Sequence, residues 1–143
     1  MDNQTIYFIS SHHERSLIAE GWASRLKAEN ITFRSAGWFD AKTNPFSIEA
    51  MKEISIDLSS FKPHQIDLEE LDQADMIVLI QDFDRDDKIH LTPSSAKKIV
   101  TWNIINPEKR SADPTEKWLL FQEICDDIAD RIKDLGQTLS SPV

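Results

Sequence analysis

One short stretch of this chain gathers side chains that could do chemistry together: the hydroxyls of Ser10, Ser11 and Ser16, the imidazoles of His12 and His13, and the Glu14-Arg15 pair. They follow the apolar run Ile6–Ile9 and precede Leu17-Ile18-Ala19, so a strand empties into a polar turn and then a helix, with Arg15-Ser16 at the helix entrance. That is the layout of an oxyanion-binding loop, in which backbone N–H groups and a helix N-terminus face an anion. The residue types do not suit such a loop. The turn has no cysteine and no glycine, and Glu14 puts a carboxylate where an anion should sit. A serine hydroxyl has a pKa far above that of a thiol, which makes Ser10 a poor nucleophile. The other chemistry this stretch could support is a metal site on His12, His13 and Glu14, with His64 as a further ligand. Adjacent histidines normally point apart, and no ligand pair lies a helical turn apart, so the expectation is that no metal is bound.

The turn needs a sheet to hold it, and the rest of the chain supplies one. Ile31-Thr32-Phe33-Arg34-Ser35, ending at Gly37, alternates as a strand does; Met76–Ile80 is wholly apolar, as a covered central strand should be; Lys97–Trp102 ends in β-branched and aromatic residues. Helical patterns lie between them. The first runs from Arg15 to about Ala28 with Ile18, Trp22 and Leu26 on one face. A second opens at Asn44-Pro45, a good cap followed by a proline suited to the first turn. A third covers Leu68–Gln73, and a last one, from about Thr115 to Leu135, turns Leu119, Ile124, Ile128 and Ile132 inward. Such alternation predicts an α/β fold of three layers, a four-stranded parallel sheet with helices on both faces, in a single domain over residues 1–143.

Composition bounds the partners. A formal net charge of −9 argues against a nucleic-acid or anionic-membrane surface. The single cysteine, Cys125, excludes an internal disulfide and a cysteine-based metal cluster, and its place in the last helix reads as a small buried residue. No apolar run approaches the roughly 20 residues of a membrane span. Met1-Asp2-Asn3-Gln4 is unlike a signal peptide, so a cytoplasmic location is expected. The run Asp82-Phe83-Asp84-Arg85-Asp86-Asp87 lacks the central glycine and terminal glutamate of a calcium loop and reads as a solvated loop. Trp38 and Phe83 could form an aromatic rim for a partner; Trp22, Trp102 and Trp118 read as core.

Several motifs in order, nearly end to end, carry a resemblance. Ile6-Tyr7-Phe8, Arg15-Ser16, Ala19–Ala23, Ser35-Ala36-Gly37, Asn44-Pro45, Ala50–Glu53, Ile56-Asp57, Ala74-Asp75, Thr92-Pro93 and Glu116-Lys117-Trp118 resemble the thioredoxin-coupled arsenate reductases, which share the low-molecular-weight protein tyrosine phosphatase fold. The resemblance implies a site at Ser10, Arg15 and Asn106, matching the family's nucleophilic cysteine, its oxyanion-gripping arginine and its aspartate general acid. It also implies ligand contacts from Ser10, Ser11, His12, His13, Arg15 and Ser16. Only four residues separate Ser10 from Arg15, where the family has five. Asn106, before Pro107, has no proton to give a leaving group; Asp113-Pro114 nearby reads as a loop feature. The stretch Gln81–His90, where the family's two redox cysteines would follow the third strand, has none. Glu20 and Ser35 match two potassium-ligand positions of the family and His64 a third. The reading here is that Glu20 and Ser35 support the shortened loop by hydrogen bonds.

Together these features predict a member of that fold that has lost catalysis. It would act by binding an unknown protein or a phosphorylated or oxyanion ligand, with no cofactor and no thioredoxin coupling. The alternatives are residual phosphatase or arsenate reductase-type activity, and a metal-dependent enzyme on His12, His13 and Glu14.

Overall fold

The computed structural model describes residues 3–26, 28–62, 64–92 and 95–140. Its elements are β1 (Gln4–Ser10), α1 (Arg15–Ala23), β2 (Ile31–Gly37), α2 (Pro45–Glu53), α3 (Leu68–Gln73), β3 (Met76–Gln81), β4 (Ile99–Asn103), α4 (Pro107–Arg110) and α5 (Pro114–Ser140). The four strands are parallel, in the order β2-β1-β3-β4. Alternation along β1 divides the core in two. Ile6 and Phe8 pack with Leu17 and Ile18 of α1, Met51 of α2, and Phe121, Ile124 and Ile128 of α5. Tyr7 and Ile9 face the opposite layer, with Leu71 of α3, Ala74 and Ile89. Each fully buried side chain of this size contributes about 1.5–3 kcal/mol, so this two-sided burial fixes the register of β1.

The parallel sheet sets its C-terminal strand ends along one edge, with Ser10 beside Gly37 and Gln81 beside Asn103. The chain leaves β1 toward β2 on one side and later returns to β3 on the other, so the turn after β1 lies at the switch point of the sheet, where such folds place ligands. Gly37 allows the close approach there. A Cβ on it would stand 1.8 Å from the Asp40 carbonyl oxygen and 2.8 Å from the His13 nitrogen.

Several boundaries differ from the sequence reading, each for a local reason. α1 ends at Ala23 rather than near Ala28; Ser24–Leu26 forms a turn in which the Leu26 N–H reaches the Ala23 carbonyl, and Leu26 packs on the core from outside the helix. Residues Ala96–Lys98 form a 3₁₀ turn before β4. There Lys98 Nζ donates to the Leu71, Asp72 and Ala74 carbonyls, closing the C-terminal end of α3. α5 starts at Pro114, with Asp113 Oδ2 accepting the Glu116 N–H. Leu119 is exposed rather than inward. It precedes Ile124 by five residues, roughly 500° of rotation, which puts it well off the Ile124–Ile128–Ile132 stripe, and Phe121 takes the inward place. Among the described residues no helix is long and apolar enough to cross a membrane.

Candidate functional site

Across Ser10–Ser16, His12 alone is not buried. Ser10, the last residue of β1, has its hydroxyl enclosed: Oγ accepts the Ser16 N–H at 3.0 Å, bonds Ser16 Oγ at 2.8 Å and donates to the His12 carbonyl. The His13 N–H, which an anion cradle would turn toward its ligand, goes to the Lys42 carbonyl at 2.8 Å. The turn is thus pinned to the chain after β2, whose Trp38 and Phe39 N–H groups bond the Ser10 and Ser11 carbonyls.

Arg15 is fully buried and points into the protein. Its Nε donates to Glu14 Oε1 at 3.1 Å and its Nη1 to the Ile104 carbonyl at 3.0 Å. Nη2 forms ion pairs with Glu14 Oε1 at 3.1 Å and Asp86 Oδ2 at 2.8 Å. Asp86, whose side chain is itself fully buried, also accepts the Asp82 N–H at 2.8 Å and the Asn106 side-chain N–H at 2.7 Å. Two carboxylates therefore already occupy the guanidinium. Burial raises the Glu14 pKa, opposed by the Arg15 charge beside it. A further anion placed about 4 Å from either carboxylate would meet roughly 4 kcal/mol of repulsion at an effective dielectric of 20.

Asp82 and Asp86 correct the reading of residues 82–87 as a solvated loop. Asp84, Arg85 and Asp87 are exposed, but Asp82 is buried and the Asp86 N–H closes back on the Asp82 carbonyl at 2.9 Å, so both aspartates turn inward. Asp82 takes Arg110 in a two-bond fork, Nε to Oδ2 at 2.8 Å and Nη2 to Oδ1 at 2.7 Å, together with the Asn106 N–H at 2.9 Å. Burial acts to raise its pKa, but Arg110 and the backbone donors outweigh it and hold it near 2. Asn106 caps α4 through its side chain and bonds Asp86, so it serves this network. Sequence reasoning missed Asp40 and Asp86 as partners of the turn, and Arg110 as the partner of Asp82. The signal for Asp82 and Asp86 was their four-residue spacing.

Behind the turn, His13 enters the interior. Its Nδ1 accepts the His64 N–H at 3.3 Å, which leaves the ring proton on Nε2, 2.7 Å from Ser35 Oγ. Ser35 in turn donates to Glu20 Oε1. Burial, and then the neighbouring His64, lower the His13 pKa to about 4, so the ring is neutral. Glu20 and Ser35 thus reach the turn through His13. The ring of His64 turns elsewhere, its Nε2 3.5 Å from Glu70. His12 turns outward to Asp40, with Nδ1 2.9 Å from Oδ1. His12, His13 and Glu14 therefore diverge, and among the described residues no group of His, Cys, Asp and Glu could hold a metal ion. Cys125 is buried, its thiol pushed up to about 12.

Phe39 and Phe83 stand exposed on the two segments that flank the turn, while Trp38 is half-buried against the core. A cavity of about 1110 Å³ lies elsewhere, at the far edge of the sheet between α5 and the chain after α1, and no residue of the turn lines it. The buried network at the switch point, not that groove, carries the reactive side chains.

The low molecular weight phosphotyrosine protein phosphatase family matches this chain over residues 5–142. The arsenate reductase of Oceanobacillus iheyensis is 36% identical over 139 residues, covering 96% of this chain and 99% of that protein. A solved arsenate reductase in the phosphate binding state superposes with a TM-score of 0.76 at 22% identity, over 96% of this chain and 99% of that one. An arginine phosphatase mutant with a phosphorylated active site serine superposes with a TM-score of 0.73 at 19% identity, over 96% and 97%.

Proposed function

The chain belongs to the low molecular weight phosphotyrosine protein phosphatase family, and we propose that within it this protein has given up catalysis and serves by binding. One observation carries the proposal: the arginine that should grip an oxyanion is buried and neutralised by Glu14 and Asp86. Three independent losses support it. The nucleophile position is an enclosed hydroxyl, Ser10; the proton-donor position is an amide, Asn106; and residues 81–90 contain no thiol for a redox relay.

With Arg15 buried between Glu14 and Asp86, the occupant favoured at the turn is a protein partner rather than a free oxyanion. The exposed rings of Phe39 and Phe83 give it apolar contact on both sides. A cytoplasmic setting, no coupling to thioredoxin and no nucleic-acid or membrane partner belong to the same proposal.

Thermal melts with millimolar phosphate, sulfate, arsenate and vanadate test it. A ligand present at about 100 times its dissociation constant adds about 2.7 kcal/mol, several degrees for a chain of this size. We expect no shift with any of the four; a shift that vanishes in Arg15→Met would restore an oxyanion ligand.

A second reading, residual phosphatase activity, draws on the neighbour whose active site serine is phosphorylated. Hydrolysis of a chromogenic aryl phosphate that is lost in Ser10→Ala would establish it. We expect no turnover.

A further inference from the structure

The turn buries every reactive side chain it carries except one. His12 has its Nδ1 2.9 Å from Asp40 Oδ1, and the same oxygen accepts the Lys42 N–H at 2.9 Å, so the carboxylate is held in place. Asp40 is ionised at neutral pH: burial acts to raise its pKa, but the Lys42 N–H and His12 bring it below the ordinary carboxylate range. An ionised carboxylate only accepts, so Nδ1 must carry the ring proton. In the tautomer with the proton on Nδ1 the lone pair is on Nε2, which has no partner among the described residues on a ring that is 41% exposed.

The other nucleophilic groups are closed off. Ser10 Oγ is enclosed by Ser16 and the His12 carbonyl, His13 Nε2 is bonded to Ser35, and the Cys125 thiol is buried. His64 directs its Nε2 at Glu70, and among the described residues no carboxylate pairs with the exposed ring of His90.

We propose that His12 Nε2 is a phosphoryl-acceptor site, oriented by Asp40, that takes a phosphoryl group from small activated donors of the phosphoramidate or acyl phosphate class. The Nε2 lone pair attacks phosphorus and forms the P–N bond. The bond from phosphorus to the donor's leaving group breaks, and its electron pair departs with ammonia or a carboxylate. The ring retains its Nδ1 proton, and Asp40 stabilises the positive charge that forms on the imidazole. The step needs neither Ser10 nor Arg15, and it is a stoichiometric modification, so it stands apart from the loss of turnover argued above.

The test is incubation of the full chain with potassium phosphoramidate, read by intact mass and ³¹P NMR. We expect a single adduct of about 80 Da that is labile in acid and stable in alkali, with phosphorus on Nε2. It should be absent in His12→Ala and form more slowly in Asp40→Asn. Circular dichroism and the melting temperature establish that both variants fold, as the exposure of the pair leads us to expect. Absence of an adduct, one that persists in His12→Ala, or one on Nδ1 would each overturn the site. An acid-stable adduct on Ser10 in place of His12 would overturn it and would favour the residual-phosphatase reading as well.

Discussion

His12 and His13 are neighbours in the chain and opposites in environment. His13 is buried, neutral and bonded on both ring nitrogens, part of an interior that also holds Glu14, Arg15 and Ser35, with half-buried Glu20 behind Ser35. His12 looks out, paired only with Asp40, beside Phe39 and across the turn from Phe83. The inner side of the turn is packed into the fold, its arginine enclosed between two carboxylates. The outer side has kept what a ligand or reagent can reach. The contrast separates two things the family likeness alone would merge: the arginine is retained, but its guanidinium is paired with Glu14 and Asp86 inside the fold.

The largest effect should come from breaking the inner side at its centre. Arg15→Met removes the cation that Glu14 and Asp86 share and leaves two buried carboxylates near each other. Loss of one partner from a buried ion pair costs about 3–5 kcal/mol, on the order of ten degrees in melting temperature here. Adding Glu14→Leu and Asp86→Asn to that variant should recover much of the loss. Little change in the single variant would mean that the pairs are not formed in solution, and the contrast with the outer side would fail.

His13 offers a gentler probe, through pH. Its ring has a pKa of about 4 in the fold against 6.5 as its ordinary value. Between those values the unfolded chain binds more protons, so this group's contribution grows as pH rises from 4 to 6.5 and is complete above it, at most about 3 kcal/mol. Glu14 and Glu20 oppose it: their pKa values are raised by burial, so the fold holds their protons longer and their contribution falls as pH rises. The measurement is therefore a difference. Wild type should lose more stability than His13→Gln when urea melts are taken at pH 7.0, 5.5 and 4.5. Parallel curves would place His13 in solvent.

Glu14→Gln should cost less, about 1–2 kcal/mol, because the amide oxygen can still accept from Arg15 and Asp86 remains. Its informative consequence is a gain. With one negative charge removed beside the guanidinium, millimolar phosphate should raise the melting temperature of the variant and not of wild type. If neither responds, the one-residue shortening of the turn, rather than the Glu14 charge, is what closed the anion site.

Much of this was legible in the sequence, and the illegible part has a common cause. Periodicity located β1, β3, α2 and α3 because their patterns are short and bounded by clear caps such as Asn44-Pro45. It overran α1, since Leu26 keeps the four-residue spacing after the helix has ended, and it misplaced Leu119, which breaks that spacing. At the site, residue types alone singled out Ser10, Glu14 and Asn106 as departures from the family's pattern. They did not indicate where Arg15 points. That depends on Asp86, seventy-one positions along the chain in a run whose composition reads as solvated, and on the Ile104 carbonyl. A buried charge is set by its partner, and partners distant in sequence leave no local pattern.

The smallest effect on stability, and the sharpest contrast, belongs to the outer side. Phe83 is 60% exposed, and its backbone N–H bonds Asn103 Oδ1 whatever side chain it bears. Phe83→Ser should therefore change stability by no more than about 0.5 kcal/mol. Phe39→Ser, at 44% exposure, should be similarly mild. If the rim is the partner surface, the same substitutions should weaken capture of a partner in pull-down far more than they affect the melt, while Arg15→Met should do the reverse once compared at equal folded fraction. A rim substitution that destabilises as much as an inner one would show that Phe39 and Phe83 cover the core edge. The outer side of the turn would then be structure too.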